Sequence, residues 1–272
     1  MSTPVPDVQR LPLRAPAGII PVTGLCANAG VKNMRLQGRV AIIIGASSGV
    51  GYETARRLAR EGASVVAAAR RRDRLESLVA EIAGEGGRAI AIPTDVTVSE
   101  QVDRLVESAV NLFGRVDILV NSAGVTHKIA PLEQFSDDDF RLVIETNLHG
   151  TFYATRAVIP HMKRQRSGTI VNIASRVGKV GIANIAPFCA AKFALDGLSQ
   201  ALGAELRPYN VFVTTIFPGL INTELEPLNP GEEFRRRLMT AADVAEVILW
   251  VCTLPPTVRV DELPIMPRQI DM

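Results

Sequence analysis

VAIIIGASSGVG, residues 40–51, is the stretch of sequence that decides the fold of this chain. Its first five residues, Val40–Ile44, are all apolar and mostly β-branched, which predicts a strand buried on both faces. Gly45, Gly49 and Gly51 follow, and a helical pattern begins directly after them. Glycine lets the backbone turn sharply and lets a phosphate approach the N–H groups at a helix start. The stretch therefore predicts a strand, a phosphate-binding turn and a helix.

Short apolar runs alternate with longer amphipathic segments from residue 39 onward. Strict alternation with uniformly apolar strands predicts an α/β fold, a doubly wound parallel sheet with helices on both faces. The predicted strands are Val40–Ile44, Ser64–Ala69, Arg88–Pro93, Asp117–Val120, Thr169–Ile173, Val211–Ile216 and a short edge strand at Glu262–Ile265. The predicted helices are Tyr52–Arg60, Asp73–Ala83, Ser99–Phe113 with Ser99 as N-cap, one that starts at Ser136 and runs to about Arg164, Ala186–Arg207 and Thr240–Thr253.

Length and composition indicate one domain with an N-terminal extension. At 272 residues, 47% of them apolar, the chain fits one large α/β domain better than two small ones. Residues 1–33 contain five prolines and no helical or strand period, so we expect a flexible Pro-rich extension before a single domain over 34–272. Prolines interrupt its apolar stretch and its arginines lie too far from the start, which argues against a signal or transit peptide.

Charge and cysteine content exclude several functional classes. A net charge of +2 gives no electrostatic case for binding nucleic acid or a membrane surface. Cys26, Cys189 and Cys252 are far apart and form no CxxC pair, so we expect neither disulfides nor a metal site, and a reducing compartment. No apolar run approaches the length of a membrane span. We therefore expect a soluble, cytoplasmic protein.

The residues at the end of the second predicted strand indicate whether the chain binds NAD or NADP. In dinucleotide-binding folds an acidic residue there accepts a hydrogen bond from the 2′-hydroxyl of NAD. This chain has Ala69 followed by Arg70, Arg71 and Arg72. Because no carboxylate is present and a guanidinium comes next, we expect NADP rather than NAD, with Arg70 as partner of the 2′-phosphate. A solvated basic turn is the alternative interpretation.

A second motif lies in the carboxyl-terminal half of the chain. Ser175 stands thirteen residues before Phe188, and Lys192 four residues after it. This spacing, together with the GxxxGxG order of the glycines, resembles the short-chain dehydrogenase/reductase family over residues 36–265. The resemblance implies a Rossmann-like fold and an NAD(P)-dependent oxidoreductase acting on a carbonyl/alcohol pair. In that family the aromatic is a tyrosine whose hydroxyl passes a proton to or from the substrate oxygen, and Phe188 lacks this hydroxyl.

The resemblance also assigns roles to single residues. Asn147 corresponds to the asparagine that holds a water in a proton relay, Ser175 to the serine that hydrogen-bonds the substrate oxygen, and Lys192 to the lysine that binds the nicotinamide ribose. A substrate lid is expected over about residues 219–239, with Thr223 contacting the nicotinamide carboxamide. The cofactor-binding positions are Gly45, Ser47, Ser48, Gly49, Val50, Gly51, Arg70, Asp95, Val96, Asn121, Ala123, Gly124, Lys192, Pro218, Gly219 and Thr223.

The missing hydroxyl leaves several functions open. Loss of a positioned general acid/base costs on the order of 10²–10⁴ in rate, so we expect reduced or abolished activity. Phe188 is either a deliberate Tyr-to-Phe replacement or a natural variant with a lost or altered proton step. The alternatives are a dinucleotide-binding pseudoenzyme, serving as a sensor or partner subunit, and a non-redox enzyme on the same scaffold. Four other residues could replace the missing proton donor, but a surface or core role is favoured for each of them: His149, Tyr153, Lys179 and Tyr209.

The expected partners are a small-molecule carbonyl or alcohol substrate and a second copy of the chain. The sequence does not identify the substrate. Three consecutive arginines in the expected lid, Arg235, Arg236 and Arg237, would suit an anionic substrate, but a solvated helix face is the favoured interpretation of such a charge run. The resemblance implies a homodimer or homotetramer through the helices that carry Asn147 and Lys192. Apolar residues on the second of these helices fit such contacts, although they also fit a monomer core: Phe193, Leu195, Leu198 and Leu202.

Overall fold

The computed structural model describes residues 34–126, 128–224 and 231–270. The extension predicted for residues 1–33 and the middle of the predicted lid, residues 225–230, lie outside the described residues and stay predictions. Within the described ranges, no helix is both long enough and apolar enough to cross a membrane.

Strands and helices alternate along the described chain. The strands are β1 (Val40–Ile44), β2 (Ser64–Ala69), β3 (Arg88–Pro93), β4 (Ile118–Asn121), β5 (Gly168–Ile173), β6 (Val211–Pro218), β7 (Ile221–Asn222), β8 (Met239–Thr240) and β9 (Glu262–Ile265). The α-helices are α1 (Gly49–Arg60), α2 (Arg72–Gly84), α3 (Ser99–Phe113), α4 (Asp137–Ile144), α5 (Gly150–Gln165), α6 (Ala186–Leu206), α7 (Glu232–Arg235) and α8 (Ala241–Cys252). Seven strands form one parallel sheet in the order β3-β2-β1-β4-β5-β6-β9, which confirms the predicted α/β, Rossmann-like doubly wound fold.

Apolar side chains of the strands alternate between two faces of the sheet, and different helices cover each face. In β1, Ile43 packs in one core with α1, α2 and α8, whereas Ile42 and Ile44 pack in another with α3 and α5. All three isoleucines are buried. Because both faces are covered, the strand sequence is continuously apolar instead of alternating with polar residues.

The long segment predicted from Ser136 to about Arg164 is not one continuous α-helix. Ser136 does cap its start: its hydroxyl accepts from the Asp139 backbone N–H at 3.1 Å, and the Asp139 carboxylate accepts from the Ser136 backbone N–H at 3.0 Å. The chain then passes from α4 through a π-helical turn, Glu145–His149, into α5. Such turns frequently occur at functional sites, and this one contains Asn147.

The prediction that Ser99 caps α3 is wrong. Val98, with an extended backbone, is the N-cap, and Ser99 is the first helical residue. The Ser99 hydroxyl accepts a hydrogen bond of 2.8 Å from Arg156 Nη2 on α5. A contact between two helices therefore uses the hydroxyl that the local pattern assigned to capping.

Candidate active site

A cleft opens at the carboxyl ends of the parallel strands, where the strand order reverses. β1 lies between β2 and β4, so the chain winds from it towards both edges of the sheet. Open α/β sheets bind their ligands at such a point. The cleft has a volume of about 650 Å³, which is within the usual range of ligand sites. Its wall includes residues that directly follow strands: Gly45, Thr94, Ser122 and Ala174.

The turn after β1 has no room for side chains at two of its glycines. Gly45 has a φ of +84°, and a Cβ on it would lie 2.6 Å from the Ala123 backbone nitrogen. A Cβ on Gly51 would overlap the backbone carbonyl of Gly45. The turn therefore packs backbone to backbone, and residues 47–50 line the cleft at the amino-terminal end of α1. This cradle fits the pyrophosphate of a dinucleotide.

The end of the cleft beside β2 is basic. Arg70 and Arg71 both line it, and the strand ends without a carboxylate. Arg71 Nη2 donates to the hydroxyls of Ser47 at 3.0 Å and Ser48 at 2.7 Å. Arg71 Nη1 also contacts the Glu224 carboxylate at 3.3 Å. This end of the cleft therefore offers guanidinium and hydroxyl donors, the groups that bind phosphate.

Asp95 turns its carboxylate towards the start of α3. Its Oδ1 accepts from the Thr97 backbone N–H at 3.0 Å and from the Thr97 hydroxyl at 2.8 Å. The Asp95 backbone N–H donates to Gln101 Oε1 at 2.8 Å. These bonds hold the turn after β3, in which Asp95 and Val96 form part of the cleft wall.

The π turn places Asn147 behind the cleft. Its Nδ2 donates to the carbonyls of Val125 and Val143, both at 2.9 Å. Its Oδ1 is buried, has no hydrogen-bond partner among the described residues, and lies 2.8 Å from where a Cβ on Gly124 would be. Since buried polar atoms are normally satisfied, this oxygen is a ready acceptor for a water or ligand group.

Ser175, Phe188 and Lys192 line the other end of the same cleft. The buried Lys192 Nζ donates to the Ile173 carbonyl at 3.0 Å and lies 5.5 Å from the centroid of the Phe188 ring. Burial disfavours the charged amine and lowers the pKa of Lys192 to about 8. The Ser175 hydroxyl accepts from the Val177 backbone N–H at 3.4 Å, which leaves its own O–H available as a donor.

The other proton donors considered from the sequence lie away from the cleft wall. Lys179 Nζ contacts the carboxylates of Asp196 and Glu262, each at 2.7 Å. Tyr153 packs against His149, with 6.2 Å between the ring centroids. Among the described residues, the wall of the cleft contains no phenol and no imidazole.

Sequence comparison identifies the family. Residues 39–232 match the family model described as short chain dehydrogenase. The chain belongs to this family. It is 36% identical over 229 residues to the 3-oxoacyl-(acyl-carrier-protein) reductase of Thermotoga maritima, covering 81% of this chain and 92% of that protein.

Solved structures of two similar proteins have the same fold. A metagenomic short-chain oxidoreductase in complex with NADP is 31% identical, with a TM-score of 0.77 over 86% of this chain and 99% of that one. An alcohol dehydrogenase from the archaeon Thermococcus sibiricus, complexed with 5-hydroxy-NADP, is 30% identical, with a TM-score of 0.80 over 86% of this chain and 98% of that one.

This short-chain dehydrogenase brings most of its predicted site residues to one cleft. Three predicted site residues are not part of the cleft wall and lie behind it: Gly51, Asn121 and Asn147. Asn121 Nδ2 donates to Asn172 Oδ1 at 2.9 Å and to Thr155 Oγ1 at 3.2 Å, so its side chain supports the sheet. The wall itself contains Gly45, Ser47, Ser48, Gly49, Val50, Arg70, Asp95, Val96, Ala123, Gly124, Ser175, Phe188, Lys192, Pro218, Gly219 and Thr223.

Two residues of the basic end were missed by sequence reasoning. The run of three arginines predicted a basic turn. It gave no indication that Arg71 donates a hydrogen bond to the Ser48 hydroxyl in the glycine loop. Glu224 had no local signal, because it is 153 residues from Arg71 in the chain. The described residues contain no cluster of His, Cys, Asp or Glu that could hold a metal ion.

Proposed function

We propose that this chain is an NADP-dependent oxidoreductase acting on a carbonyl/alcohol pair, with activity reduced or abolished because Phe188 occupies the family's tyrosine position. The observation that carries the proposal is the grouping of Ser175, Phe188 and Lys192 at one end of a cleft whose other end is a phosphate cradle. Membership of the short-chain dehydrogenase family supports dinucleotide-dependent redox chemistry.

Reduction of a carbonyl requires a hydride on carbon and a proton on oxygen. A bound nicotinamide supplies the hydride. Ser175 offers its O–H to the substrate oxygen, and a water held at Asn147 Oδ1 is a further donor. Phe188 has no proton to transfer, so Lys192, with a pKa of about 8, is the titratable group that remains beside the reacting oxygen. Its positive charge at neutral pH would stabilise negative charge on that oxygen.

The choice of NADP over NAD is supported by the end of β2. The strand ends at Ala69 without a carboxylate, and Arg70 follows it on the cleft wall. A guanidinium binds a phosphate group through charge-assisted hydrogen bonds, whereas NAD has only a hydroxyl at this position. Two structurally similar relatives were solved with NADP or 5-hydroxy-NADP, which agrees with this preference.

Cofactor binding is the first test of the proposal. NADPH and NADH are titrated into the protein and into Arg70→Ala, with cofactor fluorescence as the signal. We expect saturable NADPH binding, which Arg70→Ala weakens about tenfold or more, since a hydrogen bond to a charged group is lost. NADH binding should change little. Absence of saturable NADPH binding by the parent protein would contradict the proposed function, and equal weakening of both cofactors would reject the Arg70 contact.

A dinucleotide-binding pseudoenzyme is the second candidate, and Phe188 is the observation that favours it. Such a protein would bind NADPH as a sensor or as an inactive partner subunit. A non-redox enzyme on the same scaffold would also bind the dinucleotide. A pseudoenzyme would bind NADPH without turnover in the parent protein, and a tyrosine restored at position 188 would reactivate it if the missing hydroxyl is its only defect. In a non-redox enzyme, the same tyrosine would not produce carbonyl reduction.

We further propose a cytoplasmic homodimer or homotetramer that associates through α5 and α6. Phe152 and Phe193 are 40% and 45% exposed on these helices, which favours a covered face. Leu195, by contrast, is buried against Phe217 in the core and does not contribute to that face. Light scattering after size-exclusion chromatography tests the association, and a purely monomeric protein would contradict it.

A further inference from the structure

Glu224, which follows β7, contacts Arg71 on the wall of the cleft and Arg74 on α2. Its two carboxylate oxygens accept from Arg74 Nη1 at 2.7 and 2.9 Å. One of them also accepts from Arg71 Nη1 at 3.3 Å. Arg71 is held at the same time by the hydroxyls of Ser47 and Ser48. A carboxylate of the chain itself therefore occupies the guanidinium group that contacts the glycine loop, Arg71, and a second guanidinium on α2, Arg74.

We propose that Glu224 is an internal anion that competes with the 2′-phosphate of NADP for Arg71 and Arg74, and so sets the affinity for NADP relative to NAD. This inference rests on the proposed NADP-dependent function. Arg71 and Glu224 both line the cleft next to the end of β2, where such folds bind the ribose 2′-position. The phosphate has the same chemistry as the carboxylate: negatively charged oxygens that accept from guanidinium groups.

The side chain of Glu224 is a negatively charged carboxylate at neutral pH. Hydrogen bonds from Arg74 first, and from Arg71 second, lower the pKa of the Glu224 carboxyl. At neutral pH a dianionic phosphate thus meets a carboxylate already bound to the donors it needs. Two anions that share the same donors repel each other, so phosphate binding displaces the carboxylate or is weakened by it.

The existing ion pairs are weak enough to be exchanged. The side chains of Glu224, Arg71 and Arg74 are 59%, 43% and 43% exposed. Ion pairs this exposed contribute little, because water and salt screen them. A phosphate carries more charge and more acceptor oxygens than one carboxylate, so it can replace Glu224 at the arginines. Glu224 therefore lowers NADP affinity without preventing binding.

NAD differs from NADP at the ribose 2′-position, where NADP carries its phosphate. NAD has a neutral 2′-hydroxyl, which needs neither arginine and is not repelled by a carboxylate. Removing the charge of Glu224 should therefore tighten binding of the phosphorylated cofactor alone. Cofactor selectivity would then depend on a residue far in sequence from the strand end that usually determines it.

Paired titrations of NADPH and NADH test the inference. The proteins compared are the parent, Glu224→Gln, and Glu76→Gln as a control that removes a carboxylate from α2 near Arg72, at 3.9 Å, without touching Arg71 or Arg74. We expect Glu224→Gln to tighten NADPH about fivefold, the effect of removing one exposed competing ion pair. NADH binding should stay unchanged, and Glu76→Gln should bind both cofactors as the parent does.

A triple variant, with Arg71→Ala and Arg74→Ala added to Glu224→Gln, tests whether the tighter NADPH binding depends on these two guanidinium groups. We expect the tightening to disappear in the triple variant relative to Arg71→Ala/Arg74→Ala. Unchanged or weaker NADPH binding in Glu224→Gln overturns the inference, and so does equal tightening of NADH or equal tightening by Glu76→Gln. If the parent shows no saturable NADPH binding, the proposed function itself fails, which is a different result from saturable binding that Glu224→Gln leaves unaltered.

Discussion

At the scale of single residues, Lys192 and Phe188 lie side by side on the cleft wall, with 5.5 Å between the amine nitrogen and the ring centroid. An ammonium group near a phenyl ring gains a modest attraction to the ring face. The ring offers Lys192 no ionisable partner, whereas a tyrosine would offer a hydroxyl whose pKa the amine lowers. The charge of Lys192 is thus buried without a carboxylate or phenolate beside it among the described residues.

Lys192→Met should change the pH dependence of stability in the cofactor-free protein. Burial lowers the pKa of Lys192 to about 8, against about 10.4 in an unfolded chain. Between these values the unfolded chain binds a proton that the folded protein does not, so this residue makes the free energy of unfolding rise with pH. Below about pH 8 the full cost of burying the charge is present, on the order of 3 kcal/mol.

Urea unfolding of parent and Lys192→Met at a series of pH values checks this. We expect the stability advantage of the variant to be largest at pH 7 and to shrink as the pH rises to about 10. Burial raises the pKa of Cys252 to about 12, which lowers stability at high pH, but this contribution is common to both proteins and cancels in the difference. A difference that does not vary with pH would show that Lys192 titrates normally.

At the scale of elements, the glycine turn was predictable and the π turn was not. The spacing of Gly45, Gly49 and Gly51 after an apolar strand has a local cause, because close backbone approach requires glycine at those positions. The π turn around Asn147 has no comparable local signal, since its residues, Glu145–His149, include no glycine or proline that would interrupt a helical pattern. The local sequence also failed to predict the role of Ser99, because its hydroxyl accepts from Arg156 on another helix instead of capping α3.

Gly51→Ala should destabilise the protein although the position is helical. In an open helix this substitution stabilises by up to about 1 kcal/mol. Here the new methyl group would overlap the Gly45 carbonyl, and overpacking of this kind costs about 1–3 kcal/mol. Gly84→Ala, at the end of α2 with nothing within 4 Å of its Cβ, is the matched control and should be neutral or slightly stabilising.

Urea unfolding and NADPH titration of both glycine variants measure the effect. A shifted turn should also weaken NADPH, because its backbone N–H groups no longer point to the pyrophosphate. If Gly51→Ala is as stable as Gly84→Ala and binds NADPH like the parent, the turn tolerates a side chain and the backbone packing described here is wrong.

At the scale of the whole molecule, the sheet order explains which site residues the sequence could identify. Alternating apolar strands and helices predicted a parallel sheet, and the ends of its strands meet in one cleft. Residues directly after strands were therefore found from local motifs. Glu224 was not, because its contact with Arg71 depends on how distant segments are packed and not on neighbouring residues.

We propose that the dehydrogenase site is complete except for the hydroxyl missing at Phe188. Replacing Phe188 by tyrosine would restore this group beside Lys192. Phe140→Tyr, which is exposed on α4 away from the cleft wall and from the proposed α5–α6 face, adds the same group elsewhere and serves as control.

The deciding measurement is single-turnover oxidation of bound NADPH by an activated α-diketone in parent, Phe188→Tyr and Phe140→Tyr. We predict that Phe188→Tyr is faster than the parent by about 10²–10⁴, the usual contribution of a positioned general acid, and that Phe140→Tyr matches the parent. Equal rates in the parent and Phe188→Tyr, with NADPH bound in both, would contradict the claim.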